Sequence, residues 1–141
     1  VIGMEQRTHR LTSEELVGKP VKLEPGYAEV VLKTTEEMAV DEYGLVHGGF
    51  TFGLADYAAM LAVNEPTVVL GKAEVRFLKP VKAGEKLLAK ARILEEEGGG
   101  VGDGTSPRRK KIVRGEVFNE SGEKVFEGIF HCYVLEKHVL E

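Results

Sequence analysis

Asp56 is the only carboxylate or cationic side chain between Phe50 and Val63, a run otherwise made of apolar and small residues. If that run is helical, its neighbours one turn away are Phe52, Gly53, Ala59 and Met60, none of which is a cation. A buried carboxylate without a partner has a raised pKa or faces water, substrate or another subunit. That is the setting of a general base or a nucleophile, although an Asp hydrogen-bonded to nearby backbone would occupy it too. Gly48-Gly49 precede Asp56 by about two helical turns. A helix start offers unpaired N–H groups and the positive end of the dipole, and glycine lets a carbonyl approach closely. Oxyanion donors at the helix start and a carboxylate further along are a pair able to flank one reacting carbonyl. His47 adjoins the turn, either as a base or as a residue that fixes the turn by hydrogen bonds.

Other chemistry is less well supported. The run Arg108-Arg109-Lys110-Lys111 follows a glycine-rich stretch and reads either as a phosphate-binding cluster or as a solvated charge run. Gly98 to Gly104 lacks the spacing of a P-loop or a dinucleotide fingerprint. His9, His131 and His138 are scattered without zinc-site spacing. Cys132 reads as core, and no serine sits in a nucleophile elbow.

The elements that must position these residues fit one domain. The chain has 141 residues, 43% hydrophobic and 30% charged, which is a globular composition. A net charge of -4 argues against a general nucleic-acid binder, and no apolar run is long enough to span a bilayer. One cysteine excludes an internal disulfide and fits a reducing, cytoplasmic setting, and no secretory signal is visible. Residues 1–19 read as an N-terminal arm, loose over residues 1–10, with Thr12 to Leu16 as a capped turn. Residues 20–141 read as a single domain. Val21 to Thr35 is one strand interrupted at Pro25-Gly26, and Phe50 to Val63 is a helix apolar on every face. Thr67–Leu78, Lys86–Glu95, Arg109–Asn119 and Lys124–Leu135 are further strands, with Glu96 to Pro107 a mobile loop. Short links predict an antiparallel sheet curled around the helix. One helix leaves the other sheet face for solvent or a second subunit.

The segment His47-Gly48-Gly49-Phe50-Thr51-Phe52-Gly53-Leu54-Ala55-Asp56 resembles hotdog-fold acyl-CoA thioesterases of the phenylacetate-degradation type. Ala73 to Glu85 is similar to their strand-and-turn signature, and the likeness spans roughly residues 20 to 135. It implies an α+β hotdog fold, a five-stranded antiparallel sheet around one long helix, assembled as a homodimer and often a homotetramer with the active site at the subunit interface. It implies hydrolysis of an acyl-CoA thioester without metal or cofactor, CoA entering as part of the substrate, and no nucleic-acid or membrane partner. Asp56 is then general base or nucleophile, and the Gly49 N–H, helped by Gly48, polarises the carbonyl. His47 lies near that carbonyl or braces the turn. Asp41 falls where relatives often have Asn near the scissile bond, and its charge would raise the pKa of Asp56. Relatives often carry a Ser or Thr early in the next strand to orient water; Leu70 stands near that place and Thr67 is the nearest hydroxyl. Lys79, Arg108 and Arg109 are candidates for the CoA phosphates.

Two other readings use the same fold. A non-catalytic acyl-CoA sensor would ordinarily be joined to a DNA-binding module, for which the polar arm offers no room. A hydratase would need an acid–base Asp/His pair on a different loop, which is not seen.

Overall fold

The computed structural model describes residues 3–97 and 109–141. Alternating apolar residues produce six strands: β1 (Lys19–Glu24), β2 (Tyr27–Lys33), β3 (Val68–Phe77), β4 (Lys86–Glu97), β5 (Arg109–Phe118) and β6 (Lys124–Val134). A single 3-10 turn at Glu36–Met38 and one helix, α1 (Gly48–Val63), lie between β2 and β3. The strands form one sheet in the order β1-β2-β4-β5-β6-β3, and every neighbouring pair is antiparallel.

The sheet has six strands where five were expected. Pro25-Gly26 ends β1 outright, and Gly26, at φ 74°, lets the chain fold back so that Glu24 pairs with Tyr27. What reads as one interrupted strand is therefore a hairpin. β4 also runs on to Glu97, because Glu96 and Glu97 pair with Lys111 and Lys110 across the sheet. The glycine-rich stretch 98–107 and Arg108 lie outside the described residues.

One sheet face carries Ala28, Val30, Leu32, Leu87, Ala89, Ala91, Val117 and Phe130, all fully buried against α1. The helix returns Leu54, Ala55, Ala58, Ala59, Leu61 and Ala62, also fully buried. Alanine at four of these positions keeps the helix thin, so strands can close around it, while leucines fill the remaining space. Burial on nearly every side is why the helix has no polar stripe.

The arm is fastened along part of its length. Asn64 ends α1 in the left-handed conformation, φ 51°. Its Nδ2 donates to the Glu5 carbonyl at 2.8 Å, and its Oδ1 accepts the Arg7 N–H at 2.7 Å. Gln6 Nε2 donates to the Tyr57 hydroxyl at 3.0 Å, and Thr8 is buried. The expectation of a loose segment is thus corrected over residues 5–8: buried polar groups of the helix end need partners, and the arm supplies them. Further on, Ser13 Oγ accepts the Leu16 N–H at 3.2 Å, the expected capped turn.

Candidate active site

Asp56 lies halfway along α1 and is half-buried. Its Oδ1 is shut off from solvent and has no hydrogen-bond partner among the described residues. Burial pushes the carboxyl from its ordinary 3.8 up to about 6, and Asp41 takes no part in that shift. The carboxyl borders a cavity of about 340 Å³ shared with Met60 one turn on, Thr67 just before β3, Leu70 within it, and Thr8 and His9 of the arm. Cys132, the cross-strand partner of Leu70, is fully buried; burial first and the Asp56 charge second push its thiol up to about 12. A thiol held protonated to that degree is core and not a nucleophile.

The helix start is organised differently from the expectation. α1 begins at Gly48, two residues earlier than the apolar run, because His47 acts as its cap: Nδ1 accepts the Gly49 N–H at 2.7 Å. The Gly49 donor is therefore already engaged, and the imidazole braces the turn. Gly48 borders a second cavity, about 250 Å³, with Thr51, Phe77 and Lys79 among its walls. A Cβ at Gly48 would come within 3.1 Å of the Phe77 ring, so the absence of a side chain keeps this wall open. Gly48 and Asp56 line different cavities of the chain. Eight residues of helix separate them by about 12 Å along its axis.

The remaining candidates are dispersed. Asp41 is exposed and closes its own turn, its Oδ1 accepting the Tyr43 and Leu45 N–H groups at 3.0 and 3.2 Å. Thr67 Oγ1 donates to the Leu135 carbonyl at 2.6 Å, so its proton is committed, and the residue lines the Asp56 cavity just before β3. Lys79 pairs with Glu123 at 3.4 Å and Arg109 with Glu65 at 3.9 Å. Lys110 stands over the Tyr133 ring at 5.9 Å, and Lys111 is ion-paired with Glu96. The described part of the basic run, Arg109 to Lys111, is thus spread over partners of several elements. Among the described residues, no three His, Cys, Asp or Glu side chains converge as a metal site. Thr8 and His9 escaped the sequence reading, since a short polar arm has no periodicity to say which of its residues turn inward.

Comparison with known proteins agrees with this architecture. The sequence pattern of the Thioesterase superfamily matches residues 43–98, from the turn before α1 to the end of β4. The uncharacterized protein PH1136 from Pyrococcus horikoshii is 66% identical, each chain is covered completely, and the TM-score is 0.87. The smu.793 protein from Streptococcus mutans UA159, solved bound to acetyl CoA, is 25% identical, with 92% of this chain and 97% of that one covered and a TM-score of 0.72. The methylthioribose-1-phosphate isomerase of Aquifex aeolicus is 54% identical over 94% of this chain, which spans only 26% of that protein. Transcription factor FapR of Thermoanaerobacter sp. is 29% identical over 66% of this chain, covering 47% of that protein. The chain spans about a quarter to a half the length of these two relatives. With one buried helix wrapped by an antiparallel sheet, and the superfamily pattern running from that helix through β3 and β4, the chain carries the thioesterase-superfamily signature over residues 43–98 and has the hotdog fold.

Proposed function

We propose that the chain hydrolyses an acyl-CoA thioester to the free acid and CoA. The observation that carries this reading is the partnerless Asp56 carboxyl, buried beside a cavity and held near a pKa of about 6. A base with that pKa is ionised at neutral pH yet accepts a proton readily. Acetyl CoA in the S. mutans relative supports the CoA ester as ligand.

Two observations favour a site assembled from two copies of the chain. About 12 Å of helix is too long for Gly48 and Asp56 of one chain to grip the same carbonyl, where each must come within about 3 Å. β3 is also an edge strand of ten residues whose first positions line the Asp56 cavity. A second copy pairing on that edge would continue the sheet, cover the cavity and bring its own helix start to the opposite side. In this arrangement the Gly48 N–H of one copy holds the carbonyl oxygen. Asp56 of the other takes a proton from water as the water oxygen bonds to the carbonyl carbon. The C–S bond then breaks, and the departing CoA thiolate takes that proton back from Asp56, restoring the carboxylate. Attack by Asp56 itself, through an anhydride that water then opens, balances equally. Lys79 and Arg109 take the CoA phosphates by exchanging their exposed ion pairs with Glu123 and Glu65, pairs worth at most about 1 kcal/mol each. Asp41, with its Oδ1 committed to backbone, holds the loop that leads into α1.

Release of free thiol from short, aryl and long acyl-CoAs tests the proposal, comparing wild type with Asp56→Asn and Asp56→Ala. Turnover by wild type and its loss in both variants is the expected result. Turnover unchanged by either substitution would remove Asp56 from the chemistry. The likeness to a transcription factor supports a second reading, an acyl-CoA sensor, which tight binding without any turnover by wild type would favour.

A further inference from the structure

The water that attacks the thioester needs a second polar group to aim it, and β3 does not provide an obvious one. Leu70 has no hydroxyl, and the Thr67 proton is spent on the Leu135 carbonyl. The arm, by contrast, delivers two polar side chains to the cavity bordered by Asp56. Thr8 is buried, and its Oγ1 lies 2.8 Å from His9 Nδ1, so one imidazole nitrogen is fixed by the hydroxyl. His9 itself adopts φ 54°, a left-handed conformation uncommon for a side-chain-bearing residue. Its ring rests near that of Tyr57, with centroids 6.3 Å apart. The surrounding frame holds this geometry: Asn64 grips the arm on both sides of Gln6, and Gln6 grips Tyr57. His138 of the C-terminal tail borders the same cavity, but its Nδ1 accepts the Leu140 N–H at 3.0 Å in a local turn, and the tail is exposed.

We infer that Thr8 and His9 of the arm belong to the hydrolytic site, with His9, oriented by Thr8, as the positioning residue that holds the attacking water against Asp56. This rests on the thioesterase reading above. The cavity has room for such a water: about 340 Å³ exceeds the roughly 30 Å³ share of one water several-fold. The Thr8 hydroxyl both donates and accepts, so its contact orients the ring in either neutral tautomer of His9. If the hydroxyl donates to Nδ1, Nε2–H donates to the water oxygen and leaves the water's own protons for Asp56. If Nδ1–H donates to the hydroxyl, Nε2 accepts one water proton while Asp56 takes the other. Either state aims the oxygen lone pair at the carbonyl without His9 carrying the proton that Asp56 removes. Partial desolvation of the ring lowers its pKa from the ordinary 6.5, which favours the neutral imidazole that both arrangements use.

The test uses the thiol-release assay on His9→Gly, which removes the ring and relieves the left-handed backbone, and on Asn64→Gly, which keeps the helix end but frees the arm. Both are expected to lower kcat at least about tenfold while KM stays within about twofold, as misplacement of a reacting group does. Imidazole added in millimolar amounts restores part of the His9→Gly rate and none of the Asp56→Asn rate. Thr8→Ser retains more kcat than Thr8→Val. Should His9→Gly not fold, His9→Asn, which also tolerates the left-handed backbone, carries the test. Turnover lost in Asp56→Asn but unchanged in the His9 and Asn64 variants overturns the role of the arm and leaves the thioesterase reading intact. Absence of turnover by wild type on every acyl-CoA overturns both.

Discussion

The Gly49 N–H donates to His47 Nδ1 across 2.7 Å, so the first turn of α1 is closed by the histidine that introduces it. Histidine is an unusual cap, but its ring nitrogen does here what the side-chain oxygen of Ser or Asp does elsewhere. Replacing His47 by Ala leaves that N–H to water and is expected to cost about 1 kcal/mol, while His47→Asn recovers most of it. Thermal or urea unfolding of the two variants measures the difference, and equal stability of His47→Ala and wild type would contradict the capping role.

Asp56 carries a cost in stability whose sign follows from its burial. Its folded pKa, about 6, lies above the ordinary 3.8, so the folded protein binds this proton more tightly than the unfolded chain. Stability is therefore highest below about 3.8, falls as pH rises through about 6, and stays low above it, other groups held constant. The difference amounts to about 3 kcal/mol. Asp56→Asn is expected to be more stable than wild type at pH 8 and to lose most of that advantage near pH 4. Urea titrations at the two values read this out, and an advantage independent of pH would contradict it.

On the proposed thioesterase reading, the same carboxyl is expected to set the acid limb of activity. kcat/KM is expected to rise with pH through about 6 and then level, because only the ionised carboxyl accepts a proton. A limb centred near 4 would mean that Asp56 is solvated in the working enzyme.

A site shared between copies makes a prediction about mixtures. Asp56→Asn and Gly48→Val, each inactive alone, are expected to regain activity when refolded together. With random pairing about half the dimers are mixed, and one of their two sites is whole, giving about a quarter of the wild-type rate. A mixture as inactive as its components would place both groups in one chain or the chemistry elsewhere.

Gly18 tests the frame. It adopts φ 140°, and a Cβ there would lie 2.7 Å from Val30 Cγ1 and 3.0 Å from both Leu54 Cδ1 and the Val31 carbonyl oxygen. Gly18→Ala combines an unfavourable backbone with overpacking and is expected to cost about 3 kcal/mol or more. Chemical denaturation gives the number directly.

Much of this architecture was legible because period and composition act locally. Ala73 to Phe77 and much of Lys124 to Val134 alternate, and the apolar run of α1 has helical length. Asp56 stood out for the same reason, as one charge in a run that must be buried. The hairpin at Pro25-Gly26 was visible as a break but not as a reversal, since a turn dipeptide alone does not say which strand pairs with which. His47 was legible as a residue that fixes the turn, though not as the cap that starts the helix at Gly48, because the commoner caps have side-chain oxygens. The arm was the largest omission. Its place depends on Asn64 hydrogen bonds to backbone at residues 5 and 7, contacts some sixty positions apart that leave no pattern in the sequence.

The four alanines that keep α1 slender have a consequence for how such a protein changes over time. Ala55, Ala58, Ala59 and Ala62 are fully enclosed, so a larger side chain at any of them has nowhere to go. Diversity must then enter at the rim, where Thr67, Leu70 and the arm meet the cavity. The scaffold is fixed along its axle and variable at its margin, so the cavity beside Asp56 can change shape without rebuilding the sheet that wraps the helix.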